Sequence, residues 1–522
     1  MAEGQGKQHR ASVKERSGGT KDRRTEERRR LSESLLRRQR GAALNARRKQ
    51  KLLELQKEAE DGAPIIFSDD EMREAVRGAV DSVRQPSDLA EHLRHLRYLR
   101  YLLTDSEDPP IQLIANLEVV PLLMTEMAAE SSDVRGEALW ALAFLAEADL
   151  ASAQKLLPSA SQFVPYLSGE DAGYDAAELA AWLFRSLASA MTSEEQFPSV
   201  EVAAPLARLI FAGVDASRNG DGHVVDVSMT AAWALCSLVA HSGAARRSLL
   251  VEIPHFATRL THLLTLENGR VVTEAAWLIT YLVAADDAHL RALIQANVVA
   301  HLVALLKIYM KEEHPVLNTA YEVLTPVLRS LGNIAAGVMP EQVKELIRHE
   351  DGVILKCMAE CLTCDHRGIQ KEACKVLANL AIVGDASVIE AFDQSTVLEK
   401  IIHFVGHSAF DIKREAAFIL ANICFAEENP NVDFLKYMMN QEHQIVPGIV
   451  SLMRGVDVDA IKLGLDFSQL ILESIPDGPQ RFEEADGIDA LDNLQFGEVP
   501  AELQDMASYL VDVHFGEDYG LN

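Results

Sequence analysis

The chain contains four tryptophans, Trp140, Trp182, Trp233 and Trp277, and each lies in the same surroundings of small and apolar residues: GEALWALAFLA, ELAAWLFRSLA, TAAWALCSLVA and TEAAWLITYLVA. An indole is a large apolar ring carrying one N–H donor, so each of the four could pack in a core or stand as a platform for a ligand. A tryptophan on an alanine-rich helix is more often core than platform, by about two to one for an arbitrary helix. Recurrence at one register, four times from four, reverses that balance. Residues four apart share a helical face, which pairs the tryptophans with Phe144, Ser186, Ser237 and Tyr281. Phe144 and Tyr281 could extend the aromatic surface or turn inward; Ser186 and Ser237 are small enough simply to permit close approach.

The intervals between the tryptophans are 42, 51 and 44 residues. Beyond Trp277 the same pair of positions continues as Arg329 and Asn333, Lys375 and Asn379, and Phe418 and Asn422, at further steps of 52, 46 and 43. A period near these values marks helical repeats of the armadillo or HEAT kind, in which each unit buries a face that it could not bury alone. Helical periodicity dominates and few stretches alternate with period two. Hydrophobic residues make up 48% of the 522 but aromatics only 6%, so burial rests on Ala, Leu, Val and Ile, which suits closely packed helices. The expected fold is all-α: a right-handed superhelical solenoid of about ten armadillo repeats.

The net charge of −28 conceals two halves of opposite sign. Residues 1–60 carry 18 Lys/Arg against 9 Asp/Glu, a net of +9, which leaves −37 on the other 462 residues. A basic arm on an acidic body points to an acidic partner for the arm, a basic partner for the body, or association of the two. From Arg23 to Glu60 the arm is helix-prone, but Leu31, Leu35, Leu44, Leu52 and Leu55 are too sparse to bury a face. It is expected to order on a partner; a solvated charged helix or a nucleic-acid-binding arm remains open from the residues alone.

No apolar run stands out as a membrane span, the N-terminus lacks the apolar core of a secretory signal, and six dispersed cysteines do not read as a disulfide framework. A reduced, intracellular setting is expected. Cys357, Cys361 and Cys364, with Cys374 nearby, fall on one helical stripe, which is more often small-residue packing than a zinc site. His92, His95, His301, His349, His366 and His403 show no HExxH or comparable spacing and read as surface or satisfied core residues. No metal, no cofactor and no catalytic constellation is expected: there is no phosphate-binding loop, nucleophile elbow or dinucleotide turn.

Several segments resemble importin-α, the adaptor family that carries proteins with basic nuclear localisation signals. The closest are TPVLRSLGNIAAG (325–337), IQKEAC (369–374) and KREAAF (413–418), with DPPIQLI (108–114) near the start and FEEADGIDALDNLQ (482–495) and HFGED (514–518) near the end. They follow the family's order and nearly its spacing over most of residues 25–520. The resemblance implies that tryptophan and asparagine, four apart on most inner helices, form a cargo groove. The indole stacks on a basic side chain, the amide bonds the extended backbone, and nearby acids receive the basic head groups.

By that resemblance the major groove comprises Trp140, Phe144, Trp182, Ser186, Trp233, Ser237 and Trp277, and the minor groove Arg329, Asn333, Glu372, Asn379, Glu415, Phe418 and Asn422. The chain departs from the family at Phe144, Ser186 and Ser237, where asparagine is usual, and at Lys375, a like charge to a basic cargo partly offset by Glu372 and Glu415. Tyr281 and Arg329 are what the family commonly has. Weaker or altered recognition of lysine-rich signals follows.

The resemblance also makes residues 1–60 an importin-β-binding segment, carried by Arg28, Arg29, Arg30, Arg37, Arg38, Arg40, Arg47, Arg48 and Lys49. In the family such a segment can fold back into the cargo groove. A linker is expected over 61–75, armadillo repeats over 76–500, and the last repeat helix with an acidic tail over 501–522. The implied function is a nuclear import adaptor, shuttling between cytoplasm and nucleus. Its implied partners are importin-β, basic cargo and an export receptor at the C-terminal repeat, with no membrane and no specific nucleic acid. The competing reading is an armadillo scaffold for a different extended partner.

Overall fold

The computed structural model describes residues 69–516 except 87, 105–113, 115–116, 169–172, 195–196, 220–221, 311–316, 385 and 426–429. The expected importin-β-binding segment, Arg28 to Lys49 included, lies outside the described residues. Those described are helical with no strand among them, and they fall into two compact units that divide between Ala296 and Asn297.

In the first unit one helix recurs per repeat: α1 (Leu89–Thr104), α2 (Ser132–Ala148), α3 (Tyr174–Ala190), α4 (Gly222–His241) and α5 (Gly269–Ala285). Each packs on the next, and the remaining helices back them. Alanine makes this possible. Ala138, Ala143, Ala177, Ala180, Ala181, Ala188, Ala231 and Ala276 are completely buried, so neighbouring helices approach with little side chain between them. Starts are specified locally. The Ser131 hydroxyl accepts from Val134 N–H ahead of α2, and the Asn268 side chain accepts from Arg270 and Val271 N–H ahead of α5, caps worth about 1 kcal/mol each. The stretch 61–75, expected as a linker, is helical from Asp69 in a helix that runs to Arg84 and packs on α1.

The second unit repeats the plan with α6 (Leu317–Gly337), α7 (Arg367–Leu380), α8 (Phe410–Cys424), α9 (Val458–Ser474) and α10 (Ala501–His514), again packed in succession. Behind them runs a second column, Val298–Tyr309, Val353–Thr363, Val397–His407, Ile445–Met453 and Gly487–Gln495, each also touching the next. A residue in the left-handed conformation opens most helices of this column: Asn297, Gly352, Thr396 and Asp486, with Glu118 and His255 in equivalent places of the first unit. Only one of the six is glycine, although left-handed backbone disfavours other residues. The tight corner is therefore imposed by helices packed on both sides of it.

Helix α4 has a mean hydropathy of 1.5 over 18 residues, enough by length and composition to cross a membrane. It is instead a core helix, with 78% of that stretch buried and α3, α5 and Ser199–Asn219 packed against it. The cysteine stripe is packing too. Burial pushes the Cys357 thiol up to about 11 and raises Cys361 and Cys374 further, so these sulfurs stay protonated; Cys361 Sγ lies 3.5 Å from Met310 Sδ.

Candidate functional site

In the first unit the tryptophans fall on consecutive lining helices, as the register requires, but the faces of Trp140 and Trp233 already hold cations from the chain itself. The Arg100 guanidinium of α1 lies 5.4 Å from the ring centre of Trp140 on α2. The Arg185 guanidinium of α3 lies 3.9 Å from that of Trp233 on α4. Each of these cations is also held by an acid of α2. Arg100 Nη1 is 2.8 Å from Glu137 Oε2, and Arg185 pairs with Glu147. Ser186 Oγ donates to Glu147 Oε2 at 2.7 Å, so this serine is more than a small residue: it orients the carboxylate that neutralises its neighbour. Arg185 is 3% exposed. A guanidinium so desolvated gains about 2 kcal/mol over an indole.

Trp140 is half-buried, parallel to Phe144 at 6.1 Å and edge-on to Trp182 at 6.3 Å. Phe144 thus extends the aromatic surface rather than turning into the core. Tyr281 likewise stays half-exposed, 6.3 Å from Trp277. Trp182, Trp233 and Trp277 are buried, as are Ser186 and Ser237.

In the second unit Glu372 is shared by two cations: its Oε1 lies 3.1 Å from Arg329 Nη2 and 3.0 Å from Lys375 Nζ. Glu372 and Lys375 are both buried, so the lysine is neutralised within its own helix, and the acid expected to receive basic cargo is engaged in doing so. Glu415 is buried and accepts from Arg414 Nη2 at 2.9 Å, while Arg414 also pairs with Asp457. Asn379 Nδ2 donates to the Gly332 carbonyl of α6, and Asn422 Nδ2 to the Ala378 carbonyl of α7, both at 2.8 Å. Each amide is thereby fixed in rotation between two repeats, the preorganisation a hydrogen-bonding clamp needs. Asn333 and Phe418 are half-buried on the same register.

Sequence reading missed Arg100, Glu137, Glu147, Arg185, Arg414 and Asp457. Arg185 had one signal, a lone arginine inside an alanine-rich helix; for the others, apart from the adjacent Arg414 and Glu415, the partners lie about a repeat away.

The chain is 30% identical to importin subunit alpha-9 of Arabidopsis thaliana over 441 residues, covering 81% of this chain and 79% of the relative. This chain belongs to the importin-α family. It is 28% identical to importin subunit alpha-2 of Oryza sativa subsp. japonica over 431 residues, 81% of this chain and 78% of that one. A crystallised engineered protein superposes with a TM-score of 0.63 at 22% identity, covering 84% of this chain and 98% of its own, which bears on the fold alone. No protein-family model matches the sequence. With the helix order this makes the fold an all-α armadillo solenoid, and the molecule a nuclear import adaptor or armadillo scaffold rather than an enzyme.

Proposed function

We propose that the protein is a nuclear import adaptor that binds basic nuclear localisation signals along its lining helices and importin-β through residues 1–60. An export receptor is its partner at the C-terminal repeat, and it shuttles between cytoplasm and nucleus. The observation that supports this reading best is the pairing of Arg100 with Trp140 and Arg185 with Trp233. These indoles, backed by Glu137 and Glu147, hold guanidinium groups in the arrangement that a basic peptide requires.

The same pairs alter specificity. A cargo lysine can use the Trp233 face only by displacing Arg185, which forfeits about 2 kcal/mol of stacking, so a lysine-rich signal gains little there. The second unit keeps the anchored amides of Asn379 and Asn422 and supplies the backbone clamps. Fluorescence anisotropy with a labelled lysine-rich peptide tests this on the chain lacking residues 1–60. Arg185→Ala is expected to tighten binding about tenfold, the equivalent of about 1.4 kcal/mol, by opening the Trp233 face and releasing Glu147 from its arginine. Asn379→Ala with Asn422→Ala is expected to weaken it about thirtyfold, from two lost hydrogen bonds of about 1 kcal/mol each. No binding by any variant sinks the reading.

The scaffold reading draws on a specific observation as well: Arg185 and Lys375 reduce the negative charge offered to a basic peptide. A peptide with few basic residues that binds more tightly than the lysine-rich one favours it.

A further inference from the structure

On the helix Val397–His407, away from the lining helices, His403 and His407 lie one turn apart with rings stacked at 4.4 Å. Glu442, which follows the helix Val432–Gln441 of the next repeat, reaches both. Its Oε2 is 3.3 Å from His403 Nδ1 and 3.1 Å from His407 Nε2, and all three ligand atoms lie within 4.8 Å of one another. We propose that His403, His407 and Glu442 form a binding site for a divalent transition metal, with zinc as the fitting ion, that joins two consecutive repeats of the second unit.

The two carboxylate–imidazole distances fit the ion. Ligand bonds of about 2.0–2.2 Å around tetrahedral zinc place neighbouring donor atoms about 3.3 Å apart. Two imidazoles and one carboxylate also suit zinc better than calcium or magnesium, which take oxygen ligands. A fourth position remains for water.

The surroundings hold the third ligand in place. Glu442 Oε1 accepts from the backbone N–H of Gln444 at 3.1 Å, which turns Oε2 toward the histidines. This is the supporting contact that orients metal-binding carboxylates. Gly406, between the two histidines and the incoming segment, is what lets that segment approach. A Cβ there would lie 3.3 Å from Glu442 Cγ and 3.0 Å from Gln444 Cβ. The histidine side chains are 59% and 44% exposed, which leaves an ion a path in.

The test is calorimetric titration of the untagged, chelator-treated full chain with zinc chloride, repeated for His407→Gln, Glu442→Gln and His443→Ala. Zinc binding that weakens at least about tenfold in each of the first two variants and is unchanged in the third supports the site. It should be accompanied by a visible absorption band with cobalt(II) in its place and by a zinc-dependent rise in Tm that both variants abolish. Absence of zinc binding by the parent chain, or binding that neither His407→Gln nor Glu442→Gln weakens, overturns it and leaves the three side chains as a hydrogen-bonded cluster only.

Discussion

Removal of residues 1–60 is expected to abolish capture of importin-β from cytosol while the remaining chain still binds basic peptides. The segment carries a net +9, and what remains carries −37, so the basic arm that would attract an acidic partner leaves with the deletion. The long-range attraction that speeds such an encounter leaves with it. The loss should be all-or-none in a pull-down, because the body's field opposes rather than replaces the arm's. Peptide affinity is expected to stay equal or to rise, because a basic arm folding back onto the acidic body would compete with a basic peptide. Intact protein in 0.15 M salt is the positive control; raising the salt should weaken its capture of importin-β, as exposed charges are screened beyond about 8 Å at that ionic strength. Importin-β retained by the shortened chain would remove the assignment of residues 1–60.

Replacement of Gly448 by alanine is expected to destabilise the second unit by about 2 kcal/mol. Helix propensity alone predicts the opposite sign, a gain of up to about 1 kcal/mol for alanine over glycine in a helix. Packing decides. A Cβ on Gly448 would lie 2.1 Å from the carbonyl oxygen of Val405 and 2.8 Å from its carbon. Both are backbone atoms of the helix Val397–His407 and cannot rotate away. The two helices must part, which costs about 1–3 kcal/mol for overpacking of this kind, and parting them also draws Glu442 away from His403 and His407. Gly136 of α2 provides the contrast: nothing lies within 4 Å of its Cβ position, so Gly136→Ala is expected to stabilise by about 0.5–1 kcal/mol. Urea unfolding followed by circular dichroism measures both; a Gly448→Ala chain as stable as the parent would contradict the close approach.

How far the site was legible in the sequence differs between its parts. Trp140, Trp182, Trp233 and Trp277 recur at the repeat period because each stands at one register of one helix, and that regularity is visible in one dimension. Asn379 and Asn422 were legible as members of the same register, but their tethering to Gly332 and Ala378 was not. Lys375 reads in the sequence as a like charge to cargo partly offset by Glu372, and in the structure that offset is a direct ion pair with Glu372, three residues before it. The two lie on one helical turn, but Arg329, which shares the same carboxylate, belongs to the preceding repeat.

By itself the sequence determined the helical class, the armadillo period, the register of the lining residues and the opposition of a basic arm to an acidic body. Each of these is a local or summed property: periodicity follows from 3.6 residues per turn, and net charge from composition. Tertiary structure alone decided that Arg185 occupies Trp233, that a left-handed residue opens six of the second helices, and that His403 and His407 meet Glu442. The side-chain pairings join residues 35 to 48 positions apart. They depend on how closely two helices approach, and that distance is set by buried alanines and by Gly406 and Gly448, residues with no chemistry of their own to announce it.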